Sequence, residues 1–142
     1  MVKILTDNGH TVNWWMRSKT AIEHLKVKHH NPHYLTMVNY DMKLINLYED
    51  ISLIIRQSDI ILIGVPSAFL IETMALLPKE IFRDKIILSS IKGILPNENV
   101  ILNEYLENVF DVSLENYCCI AVHDTHFCCQ RWLITHRGRH TS

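Results

Sequence analysis

The sequence predicts an α/β fold: a parallel sheet with flanking helices. Three observations point there. Helix-like and strand-like segments alternate along residues 2–121, the order that builds parallel sheets. The run Asp59-Ile60-Ile61-Leu62-Ile63-Gly64-Val65 is apolar at successive positions, as expected of a parallel strand covered on both faces. Of the 142 residues, 48% are hydrophobic and 20% charged, an ordinary balance for a globular chain long enough to bury a core.

Each element has its own local reason. Residues 2–8 read as the last turns of a helix, closed by Asn8-Gly9 because glycine tolerates a left-handed C-cap. Thr11–Met16 is rich in β-branched and aromatic residues and reads as a strand. A helix follows near Ser18–His29, capped by Ser18 or Thr20, with Thr20 and Glu23 at capping-box spacing. Asn31-Pro32 ends it, since the residue before proline disfavours helical geometry. A short strand is expected within 37–45. Leu47, Ile51, Ile54 and Ile55 then form a stripe at helical spacing that ends near Ser58. After the 59–65 strand, Pro66 stops the run and Ser67 is a candidate cap for a helix through Leu77. Lys85–Ile91 is a further strand, Lys92-Gly93 a turn, Asn97–Phe110 an amphipathic helix and Tyr117–Ala121 a last short strand. From residue 122 on the pattern follows no period, so residues 1–121 are expected to form one domain and 122–142 an irregular tail, either disordered or frameshifted.

Composition removes several function classes. The longest apolar runs, such as Ile60–Val65, fall far short of the roughly 20 residues a bilayer-spanning helix needs. The N-terminus shows no basic region followed by an apolar core, so no secretory signal is expected, and the chain reads as cytoplasmic with no membrane partner. A formal net charge of -1 argues against a nucleic-acid partner. The four cysteines form two adjacent pairs, Cys118-Cys119 and Cys128-Cys129, which suit neither a disulfide framework nor chelation of one ion. His24, His29, His30 and His33 cluster near one helix end, but structural zinc requires four well-placed ligands, so no metal is expected.

Ligands of open parallel sheets bind beyond the carboxyl ends of the strands. That rule selects Arg17, the Val65-Pro66-Ser67 junction with Phe69, the Lys92-Gly93 turn, and Ala121-Val122. Arg17 stands where a dinucleotide fold reads the adenosine ribose, and its guanidinium suits a 2′-phosphate; a solvated arginine opening a helix explains it equally well. Lys92 suits a phosphate or a hydroxyl to be polarised, although a surface lysine in a turn is the commoner case. Pro66-Ser67 offers either backbone N–H groups to a ligand or ordinary capping.

Four stretches go further together than apart: Asn8-Gly9-His10 with Trp15-Met16-Arg17, His30-Asn31-Pro32-His33-Tyr34-Leu35, Asp59 to Ser67, and Ser90-Ile91-Lys92-Gly93-Ile94. In this order and at these distances they closely resemble the bacterial biosynthetic type of NAD(P)-dependent glycerol-3-phosphate dehydrogenase, over residues 2 to about 121. The resemblance implies a Rossmann-like nucleotide-binding domain and NAD or NADP as cofactor. It also implies reduction of dihydroxyacetone phosphate to sn-glycerol 3-phosphate for phospholipid synthesis, with a homodimeric full-length protein. It places Arg17 at the adenosine end of the cofactor and Tyr34 and Phe69 on the cofactor pocket. Lys92 takes the position that touches both the nicotinamide and the substrate.

Residues 1–142 depart from that family in three ways. They lack its opening strand and the glycine-rich loop after it, they carry Val122-His123 where the family has a Gly-Pro motif, and they lack the helical domain with the catalytic base. No catalytic residue is therefore expected within these residues, and the polypeptide by itself is expected to be inactive. A non-catalytic remnant or weak nucleotide-binding module is the alternative to an oxidoreductase fragment.

Overall fold

The computed structural model describes residues 1–32, 36–91, 94–96 and 98–120. Helices and strands alternate through them. The strands are β1 (Val12–Trp15), β2 (Ile45–Tyr48), β3 (Ile60–Ile63), β4 (Ile86–Ser89) and β5 (Tyr117–Cys119). The helices are α1 (Val2–Asp7), α2 (Lys19–Lys28), α3 (Ile51–Arg56), α4 (Ser67–Met74) and α5 (Leu102–Phe110), with 3₁₀ turns at Met42–Leu44, Lys79–Phe82 and Leu114–Asn116. The α/β class and the parallel pairing follow the expectation. The irregular tail expected for 122–142 lies outside the described residues.

The chain divides into two compact bodies. The first comprises Met1–Ile61 with Leu77–Lys85; the second comprises Leu62–Leu76 and the described residues from Ile86 on.

In the first body, β1 and β2 pair in parallel, with Val12 opposite Ile45 and Trp15 opposite Tyr48. Leu25, Tyr40 and Ile45 form a buried cluster against which Val2, Trp14, Met16, Val38, Met42 and Leu47 pack. Trp14 meets Tyr40 edge-on, with centroids 5.3 Å apart, a favoured aromatic geometry. Gly9, at φ +81°, turns the chain out of α1 into β1. Ser18 is the N-cap of α2, its Oγ accepting from Ala21 N at 3.2 Å, so the cap is Ser18 and not Thr20. The helix stops at His29, which takes left-handed φ and ψ of 60° and 16°.

A second sheet consists of β3, β4 and β5, hydrogen-bonded in that order, with β4 and β5 parallel; β4, β5 and the Leu62–Ile63 half of β3 belong to the second body. Helix α5 buries Leu102, Tyr105, Leu106 and Phe110 on one face, and Asp111 closes it at φ +56°. Spacing of apolar residues at i, i+3, i+4 and i+8 gives that face.

Five readings need correction. The strand expected within 37–45 starts only at Ile45, after a 3₁₀ turn at Met42–Leu44 that Asp41 caps. Leu47 belongs to that strand and not to the α3 stripe, because Asp50 caps α3 by accepting from Ser52 N and Leu53 N. The N-cap position of α4 is Pro66, and Ser67 is already helical, without a capping hydrogen bond. The amphipathic helix starts at Leu102 and not at Asn97, since Ile101 forms an antiparallel bridge with Ile94. Last, the 59–65 run is not covered on both faces: Ile60 is 57% and Leu62 36% exposed. Among the described residues β1 pairs with β2 alone and β3 with β4 alone.

Candidate nucleotide-binding strand ends

In the first body the carboxyl end of β1 leads straight into α2. Met16 N donates to Tyr48 O at 3.2 Å, extending the β1–β2 ladder by one bond and fixing where Arg17 leaves the sheet. Trp15 Nε1 donates to the Glu49 carbonyl at 3.0 Å, so the indole ties the ends of the two strands together. Arg17 follows as an exposed residue between the strand and the Ser18 cap. Ser18 Oγ also lies 2.8 Å from Thr20 Oγ1. Lys19 Nζ sits 3.7 Å from Glu49 Oε2, a solvent-exposed pair that contributes at most about 1 kcal/mol. This strand end therefore presents two cations, two hydroxyls and the start of a ten-residue helix. Cations and hydroxyls of this kind can hydrogen-bond an anionic polyol, although the Glu49 carboxylate already draws on Lys19.

In the second body two strand ends carry chemistry. β3 runs out through exposed Gly64 to Pro66, where α4 begins. A Cβ at Gly64 would meet only Ser90 Oγ at 3.8 Å, an ordinary contact, so packing does not demand glycine there. Phe69 is half exposed in the first turn of α4, and its backbone is held by Phe69 N donating to Pro66 O at 2.9 Å. A half-exposed aromatic ring beside a strand end is suited to lie against a planar ligand.

The end of β4 is tied by serines. Fully buried Ser89 accepts from Ile91 N through its Oγ at 3.0 Å and from Ile120 N through its carbonyl at 2.6 Å. Ser90 N donates to Ile63 O at 3.1 Å, joining the ends of β3 and β4. Burial pushes the Tyr117 phenol above its ordinary pKa, against a smaller opposing effect of its side-chain hydrogen bond with Ser89. These bonds fix the backbone up to Ile91. Sequence reading assigned no role to Ser89, Ser90 or Trp15, although Trp15 and Ser90 fall within the stretches that carry the family resemblance; the one signal for Ser89 was its place at a strand end.

Of the four candidate site residues, Arg17 belongs to the first body and Phe69 to the second. Tyr34 and Lys92 lie outside the described residues. Among the described residues no group of three or more His, Cys, Asp or Glu is placed to hold a metal ion, and no helix is long and apolar enough to cross a membrane.

The family described as NAD-dependent glycerol-3-phosphate dehydrogenase N-terminus matches residues 1–122. The chain belongs to this family. It is 28% identical over 110 residues to glycerol-3-phosphate dehydrogenase (NAD(P)+) of Pseudomonas fluorescens, covering 77% of this chain and 31% of that protein. It is 27% identical over 125 residues to the enzyme of the same name from Limosilactobacillus reuteri, covering 86% and 36%. A crystal structure of glycerol-3-phosphate dehydrogenase from Coxiella burnetii superposes with a TM-score of 0.66 at 20% identity, over 77% of this chain and 33% of that one. The likeness shows the Rossmann-like fold. The chain spans about a third of the length of the relatives it matches.

Proposed function

We propose that this glycerol-3-phosphate dehydrogenase N-terminal chain is the cofactor-binding part of an oxidoreductase. That enzyme uses NADH or NADPH to reduce dihydroxyacetone phosphate to sn-glycerol 3-phosphate. The observation that carries the reading is the family match over residues 1–122, joined to parallel strands whose carboxyl ends carry Arg17 and Phe69.

Residue roles follow from chemistry at those ends. Arg17 binds the adenosine ribose, or its 2′-phosphate, through charge-assisted hydrogen bonds. Phe69 and Tyr34 line the cofactor pocket. Lys92 neutralises charge near the nicotinamide and the substrate. The dinucleotide supplies the hydride, and the protein's part is to hold it against the carbonyl carbon. The product belongs to cytoplasmic phospholipid synthesis, and the full-length protein is a homodimer. Residues 1–122 supply the nucleotide-binding portion of that enzyme.

The test is oxidation of NADH and NADPH by the natural protein that carries these residues, with and without dihydroxyacetone phosphate. Oxidation that depends on the triose phosphate supports the reading; a protein that binds a dinucleotide but oxidises it with no triose phosphate dependence refutes it.

A further inference from the structure

His24 lies in the second half of α2, and His30 follows the left-handed His29 that ends that helix. The reversal at His29 brings the two rings together, with centroids 4.8 Å apart and planes at 74°. His24 Nε2 and His30 Nδ1 are both buried, and neither has a hydrogen-bond partner among the described residues. A buried polar atom without a partner costs about 1–3 kcal/mol. Two in one ring pair call for a common explanation.

We propose that His24 and His30 form a two-imidazole site for a borderline divalent transition-metal ion such as Ni²⁺ or Cu²⁺. With a metal–nitrogen distance of about 2.1 Å and a ring centre roughly 1.1 Å behind each nitrogen, two imidazoles on one ion at about 90–110° have centroids roughly 4.5–5.2 Å apart. The observed 4.8 Å falls in that range. Neutral imidazole nitrogens suit late first-row divalent ions, whose affinities rise toward Cu²⁺. Each lone pair then gains a partner, and the ion cross-links α2 to the segment that follows it. Among the described residues the protein supplies two ligands, with no group of three or more placed to hold an ion, and water completes the coordination. The site is separate from the strand-end chemistry and does not depend on it.

The experiment follows histidine ring C–H signals by NMR in the 142-residue chain, free of any affinity tag, as Ni²⁺ is added. The expected result is that the His24 and His30 signals broaden together below one equivalent, ahead of exposed His10. His24→Phe and His30→Phe keep the ring volume and should each protect the remaining partner from broadening, while His29→Asn should change nothing. Ring signals of His24 and His30 that persist past one equivalent, or that broaden no earlier than His10, overturn the proposal without recourse to a variant.

Discussion

Asn13 and Asn46 stand opposite each other in the parallel register of β1 and β2, and Asn46 Nδ2 donates to Asn13 Oδ1 at 3.0 Å. Asn13 Nδ2 donates onward to Ser58 Oγ at 3.1 Å, just past the end of α3. The side-chain amides thus repeat the direction of the backbone ladder and tie helix to sheet. A slip of one residue in either strand would put the two side chains on opposite faces. Asn13→Ala removes both bonds and should lower stability by about 1 kcal/mol. Asn46→Ala removes one, is more exposed, and should cost less. Urea midpoints for the two variants check the order; an equal or reversed effect contradicts the relay.

Ser18→Ala should destabilise α2 by about 1 kcal/mol, the usual effect of losing an N-cap side chain. The Ala21 amide loses its acceptor, so it should exchange faster with solvent than in the unchanged chain. Thr20→Ala should have little effect, because Thr20 is already one residue inside the helix. Amide exchange at Ala21 separates the two.

Arg17→Ala in the natural protein should weaken binding of the dinucleotide through loss of a charge-assisted bond. At about 1.5–3 kcal/mol the expected loss is roughly 10-fold to 150-fold. If the guanidinium reaches a 2′-phosphate, NADPH should suffer more than NADH. Parallel titrations of the two cofactors by fluorescence decide it.

Lys92→Ala should lower kcat/KM for dihydroxyacetone phosphate by about 10-fold to 150-fold, the same energy range applied to a substrate contact. Its thermal midpoint should move little, as expected of a residue that acts on the substrate and not on the fold. Unchanged kinetics would return Lys92 to the role of a solvated lysine.

Alkaline pH should weaken the fold through Tyr40, Tyr105 and Tyr117, whose phenols burial holds above their ordinary pKa. Their neutral forms are favoured in the folded state, so the stability they contribute is full below the unfolded value of about 10. It declines as pH rises from there through the folded values. Urea midpoints at pH 9, 10 and 11, with phenolate absorbance followed alongside, test this. Tyr117→Phe should flatten the decline; an equally steep decline in that variant argues against Tyr117.

Much of this fold was legible because local chemistry and fold agree. Asn8-Gly9 ends α1 as glycine at a positive φ should, and Ser18 is the cap its residue type suggests. The failures occur where long-range contacts override local pattern. Ile101 fits a helical stripe, but its pairing with Ile94 delays α5 until Leu102. Leu47 sits four residues before Ile51, so spacing alone joins it to α3, whereas the Asp50 cap separates them. At the candidate site, Arg17 and Phe69 could be marked from the strand-end rule. Ser89 could not, because its function is to accept from backbone groups 2 and 31 residues further along the chain.

Lys85 Nζ donates to the Ser58 carbonyl at 2.7 Å, and the 3₁₀ turn at Lys79–Phe82 lies against α3. The first body thus takes its closing piece from a segment made after the chain has left it for residues 62–76. On the ribosome, β2 is complete at Tyr48, yet the nascent body waits for Lys85. At about 5–20 residues per second that wait lasts roughly 2–7 s. Once Arg56 is made, α3 can meet β1 and β2 but lacks the cover of the Lys79–Phe82 turn, an interval in which a holding chaperone has something to bind.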